Sequence, residues 1–265
     1  MSTPIAVVKN DEAIHSVHAA SVQLRNIRKV FTRKGKSLTV LTNFDLTIAP
    51  GEVVAILGPS GCGKSTLLRL LAGLETASSG EILIDGAKVT DLDNRCSVVF
   101  QEPRLLPWRN ILANVELGLR GKKDPVNPNK AEQLLAEVGL ADFVHHFPKQ
   151  ISGGMAQRAA LSRALISEPE VLLLDEPFAA LDALTRLQMQ DLISSVVAKT
   201  GVTVVLVTHD IDEALYLADR ILVLGERGEE VRGSFDINLN HPRDRKDAAL
   251  APIRTQLYSL FSIHN

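Results

Sequence analysis

The chain has 265 residues, 45% of them hydrophobic and 23% charged, which is enough for one large α/β domain with an inserted subdomain and a full core. Its 29 Lys and Arg against 31 Asp and Glu leave a formal net charge of −2, so no global basic field favours nucleic acid as a partner. Two cysteines, Cys62 and Cys96, form no disulfide framework and fit a reducing compartment, and no run of about 18 apolar residues is present to cross a bilayer.

Residues 1–20 lack a basic start followed by a long apolar stretch, so they read as a loose arm rather than a secretory signal. Residues 21–31 and 38–48 alternate apolar and polar side chains, which predicts antiparallel strands with one wet face. Residues 52–57 are a short continuous apolar run, expected of a buried parallel strand, and residues 67–74 repeat leucine at helical spacing. Between them stands "GPSGCGKST", residues 58–66, as a strand-to-helix turn. The first turn of a helix leaves backbone N–H groups unpaired and gathers partial positive charge, so an anion belongs there. Gly58, Gly61 and Gly63 let the backbone curl around a phosphate chain, Lys64 adds a full charge, and Ser65 offers a hydroxyl to Mg²⁺. The spacing Gly58-x-x-x-x-Gly63-Lys64-Ser65 is the complete phosphate-binding loop, and a nucleoside triphosphate is the ligand it implies. Gly58, Pro59, Ser60, Gly61, Cys62, Gly63, Lys64, Ser65 and Thr66 are therefore assigned to the nucleotide. Cys62 reads as a small tolerated loop residue in preference to a thiol activated by the helix end.

Further along, residues 81–86 alternate like the first strands, and residues 97–100 are a short continuous apolar run like 52–57, expected of a buried parallel strand, with Cys96 before it as a core residue. From Gln101 to Ser152 the pattern turns helical over 110–120 and 131–144, around a polar proline-containing linker at 121–130, which predicts an inserted helical subdomain. Leu105, Leu106, Pro107 and Trp108 cluster apolar bulk beside Gln101, as local core or as a dock for a partner helix. Ser152, Gly153 and Gly154 open another helix whose free N–H groups can bind a second anion. Residues 170–177 form an apolar strand ending in Asp175 and Glu176, two carboxylates suited to hold Mg²⁺ and orient a water. Residues 203–210 form another such strand, residues 221–233 suggest a closing hairpin, and residues 241–261 a polar turn leading to a terminal helix.

The order of a phosphate loop, a glutamine after a strand, an SGG segment, an Asp-Glu strand end and a strand-end histidine resembles the ATP-binding cassette (ABC) ATPases, over about Val22 to Gly233. The resemblance implies an α/β fold: a P-loop NTPase core with a mostly parallel sheet, an N-terminal antiparallel β subdomain and an inserted helical subdomain at about 102–160. On this view the arm is 1–20, the ATPase domain 21–240, and the C-terminal tail and helix 241–265. It also implies ATP and Mg²⁺ as ligands. Glu176, His209 and Gln101 would be catalytic, with His209 at the γ-phosphate, Ser65, Gln101 and Asp175 at the metal, Asp182 communicating across a dimer and Phe31 stacking on adenine. Ile151 stands where the family usually has leucine and Ala179 where serine is common, and neither departure removes catalytic chemistry.

The same resemblance implies a head-to-tail homodimer in which each ATP lies between one chain's Lys64 and the other's Ser152 and Gly154. Residues 102–119, 208–224 and 241–245 look like the nitrate, sulfonate and taurine branch of bacterial importers. The expected partners are then two membrane-spanning permease subunits and, through them, an extracytoplasmic binding protein, with no nucleic acid. The chain itself would sit peripherally at the cytoplasmic face of the inner membrane. A mechanical ATPase of DNA repair or translation and a small-molecule kinase share parts of the pattern. The first commonly carries coiled-coil insertions or tandem cassettes, and the second lacks the SGG segment.

Overall fold

The computed structural model describes residues 17–33, 35–119 and 129–262. The first sixteen residues of the expected arm and most of the expected linker at 121–130 lie outside these.

Two sheets and a set of helices build the chain. Strands β1 (Val22–Arg33) and β2 (Lys36–Ile48) pair antiparallel, from Val22 opposite Ile48 to Arg33 opposite Lys36. Strand β3 (Val53–Leu57) leads into helix α1 (Lys64–Leu71). Strands β4 (Ser79–Ile84) and β5 (Ala87–Lys88) return to the first sheet, completing four strands in the order β2-β1-β4-β5. Strand β6 (Cys96–Val99) precedes the helical insertion, which holds α2 (Ile111–Val115), a 3-10 turn at Glu116–Leu119, α3 (Lys130–Glu137) and α4 (Gly153–Leu165). Then follow β7 (Val171–Asp175), α5 (Ala183–Thr200), β8 (Thr203–Val207), α6 (Ile211–Leu217), β9 (Arg220–Leu224), β10 (Val231–Asp236) and α7 (Leu250–Ser262). The second sheet has six strands in the order β10-β9-β3-β8-β7-β6, parallel except for β10.

The continuous apolar runs have a direct cause. Alternate residues of each central strand feed two different cores: Val53, Ala55, Leu57, Leu172, Leu174, Val204 and Leu206 face the helices α2 to α7, while Val54, Ile56, Leu173, Val205 and Val207 face α1 and the antiparallel sheet. A strand covered on both faces has no use for polar alternation. Each buried Leu or Val contributes about 1.5–3 kcal/mol relative to exposure, so the six-stranded sheet is the rigid element of the molecule.

Two boundaries differ from expectation. Residues 17–20 are tied down: the Val17 N–H donates to the Thr200 carbonyl at 2.9 Å, the Thr203 hydroxyl to the Ala20 carbonyl at 2.6 Å, and Ala20 is fully buried. The C-terminal segment is likewise part of the core. Arg243 is buried, donating to the Leu215 carbonyl at 3.2 Å and pairing with Asp219 at 3.3 Å, and Leu250 and Leu257 of α7 pack into the helix-side core. Charge at 241–247 reads as a polar turn in sequence, whereas Arg243 satisfies carbonyls in the last turn of α6 and just after β10.

Candidate functional site

The carboxyl ends of β3, β6, β7 and β8 point to one edge of the sheet, where an open α/β fold places its ligands. The phosphate loop leaves β3 there. Gly63 caps α1 with φ 118°, and a Cβ on it would meet Val40 Cγ1 at 2.8 Å, so only glycine fits. Lys64 is only 5% exposed, and its ammonium donates to the loop's own carbonyls at Gly58 (2.7 Å) and Pro59 (3.0 Å). A buried cation held by two neutral carbonyls at the N-terminus of a helix fits an anion of high charge. The Cys62 thiol is buried beneath Gly58, and burial pushes its pKa up. The structural reading of Cys62 therefore holds.

Ser65, the second residue of α1, donates its hydroxyl to Asp175 Oδ1 at 2.8 Å, joining the loop to the end of β7. Burial raises the Asp175 carboxyl above the ordinary range, with Glu176 adding to it while the Ser65 hydroxyl, Arg69 and Lys64 pull the other way. A hydroxyl and a partly buried carboxylate at this distance fit a hard divalent cation such as Mg²⁺. Glu176 follows in the left-handed region at φ 45°, its N–H donating to the Val207 carbonyl at 2.9 Å. That turn brings Glu176 Oε2 to 3.2 Å from His209 Nδ1, beyond the end of β8. A non-glycine residue held at positive φ costs on the order of 1 kcal/mol, and such strain clusters at functional sites.

Gln101 is exposed just beyond β6, at the same sheet edge. Phe31 lies on β1 opposite Leu38, packed against the core between the sheets, with Lys29 Nζ 4.6 Å from its ring centroid. These contacts are those of a packing residue.

Ser152 and Gly154 belong to a second cluster. Ser152 caps α4, its Oγ accepting from the Met155 N–H at 3.3 Å, and a Cβ on Gly153 would meet open space. A Cβ on Gly154 would lie 2.2 Å from Thr185 Cγ2, so that glycine is required for close packing on α5. Asp182 caps α5 by accepting from the Thr185 N–H (3.0 Å) and hydroxyl (2.6 Å), which lowers its pKa. The structure therefore joins Ser65, Asp175, Glu176 and His209 around the loop, and joins the SGG helix end to the Asp182 turn.

Four residues escape the sequence reading. Gln157 and Arg163 on α4 donate to the carbonyls of Phe100 (3.0 Å), Pro103 and Arg104 (2.8 Å each), clamping the segment after Gln101. Fully buried Asn114 bonds both the N–H and the carbonyl of Leu106. Arg227, in the β9–β10 hairpin, donates to the Gly61 carbonyl at 3.0 Å. None has a motif of its own, because each acts on backbone atoms whose location only the fold sets. Leu105 packs against the helix-side core and Leu106 is half-buried, while Trp108 is 70% exposed. Of the apolar cluster at 105–108, Leu105 is thus core and Trp108 surface.

A family model described as ABC transporter matches residues 41–179. The aliphatic sulfonates import ATP-binding protein SsuB 1 of Xanthomonas axonopodis pv. citri is 49% identical over 231 residues, 85% of this chain and 92% of that protein. The aliphatic sulfonates import ATP-binding protein SsuB of Pectobacterium atrosepticum is 50% identical over 221 residues, 83% of this chain and 80% of its own. Among solved structures, the dimeric ATP-binding cassette MJ0796 in a post-hydrolysis state bound to ADP and Pi aligns with a TM-score of 0.73 at 35% identity, covering 83% of this chain and all of that one.

Proposed function

The chain belongs to the ABC transporter family, and on that premise we propose that it is the ATP-hydrolysing subunit of a bacterial importer, coupling ATP binding and dimer closure to uptake of a small anion of the aliphatic sulfonate class. The observation that carries this reading is the pairing of a phosphate loop with a second helix N-terminus, at Ser152, that stands exposed beside a glycine with open space around it. Two copies related by a two-fold axis would each lend that helix end to the other's nucleotide. The relatives named as aliphatic sulfonate import proteins support the sulfonate class, with taurine and nitrate as other small anionic cargoes.

In this reading Lys64 exchanges the Gly58 and Pro59 carbonyls for the β- and γ-phosphate oxygens of ATP. Ser65 and Asp175 would hold Mg²⁺, with Gln101 at the same edge, and the ion would neutralise charge on the phosphates. Glu176 orients a water in line with the γ-phosphorus and takes its proton as the new P–O bond forms and the bond to ADP breaks. His209, 3.2 Å from Glu176, fixes that carboxylate and stands ready for the γ-phosphate. Release of phosphate removes the charge that both helix ends share, and the dimer opens.

A load-bearing contact is also needed. A groove of about 550 Å³ opens between β6 and the helical insertion, lined by Leu74, Leu92, Phe100, Arg104 and Arg163 among others. Leu92 is 65% exposed, and the groove's floor is the segment that Gln157 and Arg163 clamp. We assign this groove, with Trp108, to a helix of the permease. Among the described residues no helix is long and apolar enough to cross a membrane, so the chain would act peripherally on the cytoplasmic face, through a permease that meets an external binding protein.

The test is reconstitution with the permease and binding protein in proteoliposomes, reading phosphate release and uptake of an aliphatic sulfonate together. The expected result is sulfonate-stimulated hydrolysis with uptake, and a Leu92→Asp, Trp108→Ser variant that keeps basal hydrolysis but loses uptake by about tenfold or more. Normal uptake by that variant would remove the dock from this groove. Phosphate passed to an acceptor instead of water would favour a kinase.

A further inference from the structure

Glu213 lies on α6, one turn beyond the histidine loop, and is only 4% exposed. Its Oε2 accepts a hydrogen bond from the Thr208 hydroxyl, and the Thr208 oxygen in turn accepts the Asp210 N–H at 3.1 Å. Thr208 and Asp210 are the two neighbours of His209, so the buried carboxyl sets the backbone on which the imidazole stands. On its other side, Arg186 of α5 places Nε 3.9 Å from Glu213 Oε1, Nη1 3.7 Å from Asp210 Oδ2, and Nη2 on the Leu181 carbonyl at 3.3 Å. Leu181 precedes Asp182, the cap of α5. The Arg186 Nε–H is buried and makes no hydrogen bond, and 3.9 Å is beyond hydrogen-bonding range.

We propose that Glu213 is a positioning residue for hydrolysis: through Thr208 it fixes the loop of His209, and by losing its proton it draws in Arg186, so that the loop of His209 and the turn of Asp182 move as one unit. This rests on the reading of the site as an ATPase.

The chemistry of the surroundings supports a carboxyl poised between two states. Burial pushes the Glu213 pKa up to about 7, with Asp210 adding to the rise while the Thr208 hydroxyl, Arg186 and His209 oppose it. The other elements against α6 change little: β3 is wholly apolar there, and Arg254 of α7 is engaged with Asp212 at 2.8 Å. A cavity of about 380 Å³ lined by Arg186, Asp210, Arg245 and Arg254 reaches the network from outside, so protons can exchange. Folding therefore favours the neutral acid. Its stabilising contribution is complete below the ordinary glutamate range and is lost as pH rises to about 7, where ionisation transfers the carboxyl to Arg186.

The test measures phosphate release at saturating ATP, and KM for ATP, from pH 6 to 8.5 on the full chain, with Glu176→Gln as the catalytic blank. The parent is expected to gain activity through about pH 7. Glu213→Gln, which keeps the bond to Thr208 but cannot ionise, is expected to stay near the parent's low-pH rate, with KM within about twofold. Arg186→Gln removes the cation that favours the carboxylate, so the midpoint should move to higher pH. A Glu213→Gln variant with the parent's pH profile, or an Arg186→Gln variant with an unmoved midpoint, overturns the proposal. A parent chain no more active than the Glu176→Gln blank overturns the ATPase reading itself.

Discussion

Glu176→Gln is expected to lower phosphate release by about 10²-fold or more, the lower scale for removing a general base, while ATP still binds. The substitution keeps size and hydrogen-bonding capacity. The backbone turn at φ 45°, fixed by the bond to the Val207 carbonyl, should persist, as should a contact to His209. What is lost is the negative charge proposed to orient and deprotonate the water. The same loss relieves repulsion toward the γ-phosphate, so the closed dimer should accumulate with Mg²⁺ and ATP. Sedimentation and phosphate release on one sample check both effects. Hydrolysis at the parent rate would move the catalytic role to another group, with His209 next in position.

Lys64→Ala is expected to act earlier, on binding. Its buried ammonium reaches back over the loop, onto the Gly58 and Pro59 carbonyls. Hydrogen bonds to charged groups contribute about 1.5–3 kcal/mol each, so affinity for ATP should fall on the order of ten- to a hundredfold. Without bound nucleotide there is nothing to hold two copies together, and the variant should sediment as a monomer even in excess ATP. The two variants thus separate along the cycle: one closes and stalls, the other never closes. A Lys64→Ala chain that binds ATP with parental affinity would contradict the assignment.

Much of this site is legible in the sequence because its residues work through local backbone geometry. The Gly58-to-Ser65 spacing encodes a turn that only glycine permits, and the apolar run ending in Asp175 and Glu176 encodes a buried strand with a charged edge. Ser152 is visible for the same reason, as a helix cap. The layering of the sheet was readable from the contrast between alternating β1 and β2 and the unbroken β3, β7 and β8. Long-range partners were not. Asn114, Gln157, Arg163 and Arg227 act on backbone atoms up to 166 residues away, and nothing in their neighbourhood marks them. Arg243 looked like part of a solvated charge run because its buried carbonyl partners belong to other elements. Glu213 reads as an ordinary polar position in a helix until the fold places Thr208 and Arg186 on either side of it.

The central claim is that each ATP is shared between two copies, and the most direct measurement mixes two variants that are each inactive. Lys64→Ala removes the cation of the phosphate loop, while Ser152→Arg blocks the helix end proposed to serve the partner's nucleotide. The second change should spare the fold, since the Ser152 cap is worth about 1 kcal/mol and the neighbouring Gly153 faces open space. A mixed dimer contains one intact site, with Lys64 from the Ser152→Arg chain and Ser152 from the Lys64→Ala chain. The account predicts that the mixture releases phosphate where neither variant does alone. A mixture no more active than the sum of its folded parts, or a Ser152→Arg chain that hydrolyses ATP unaided, would contradict it.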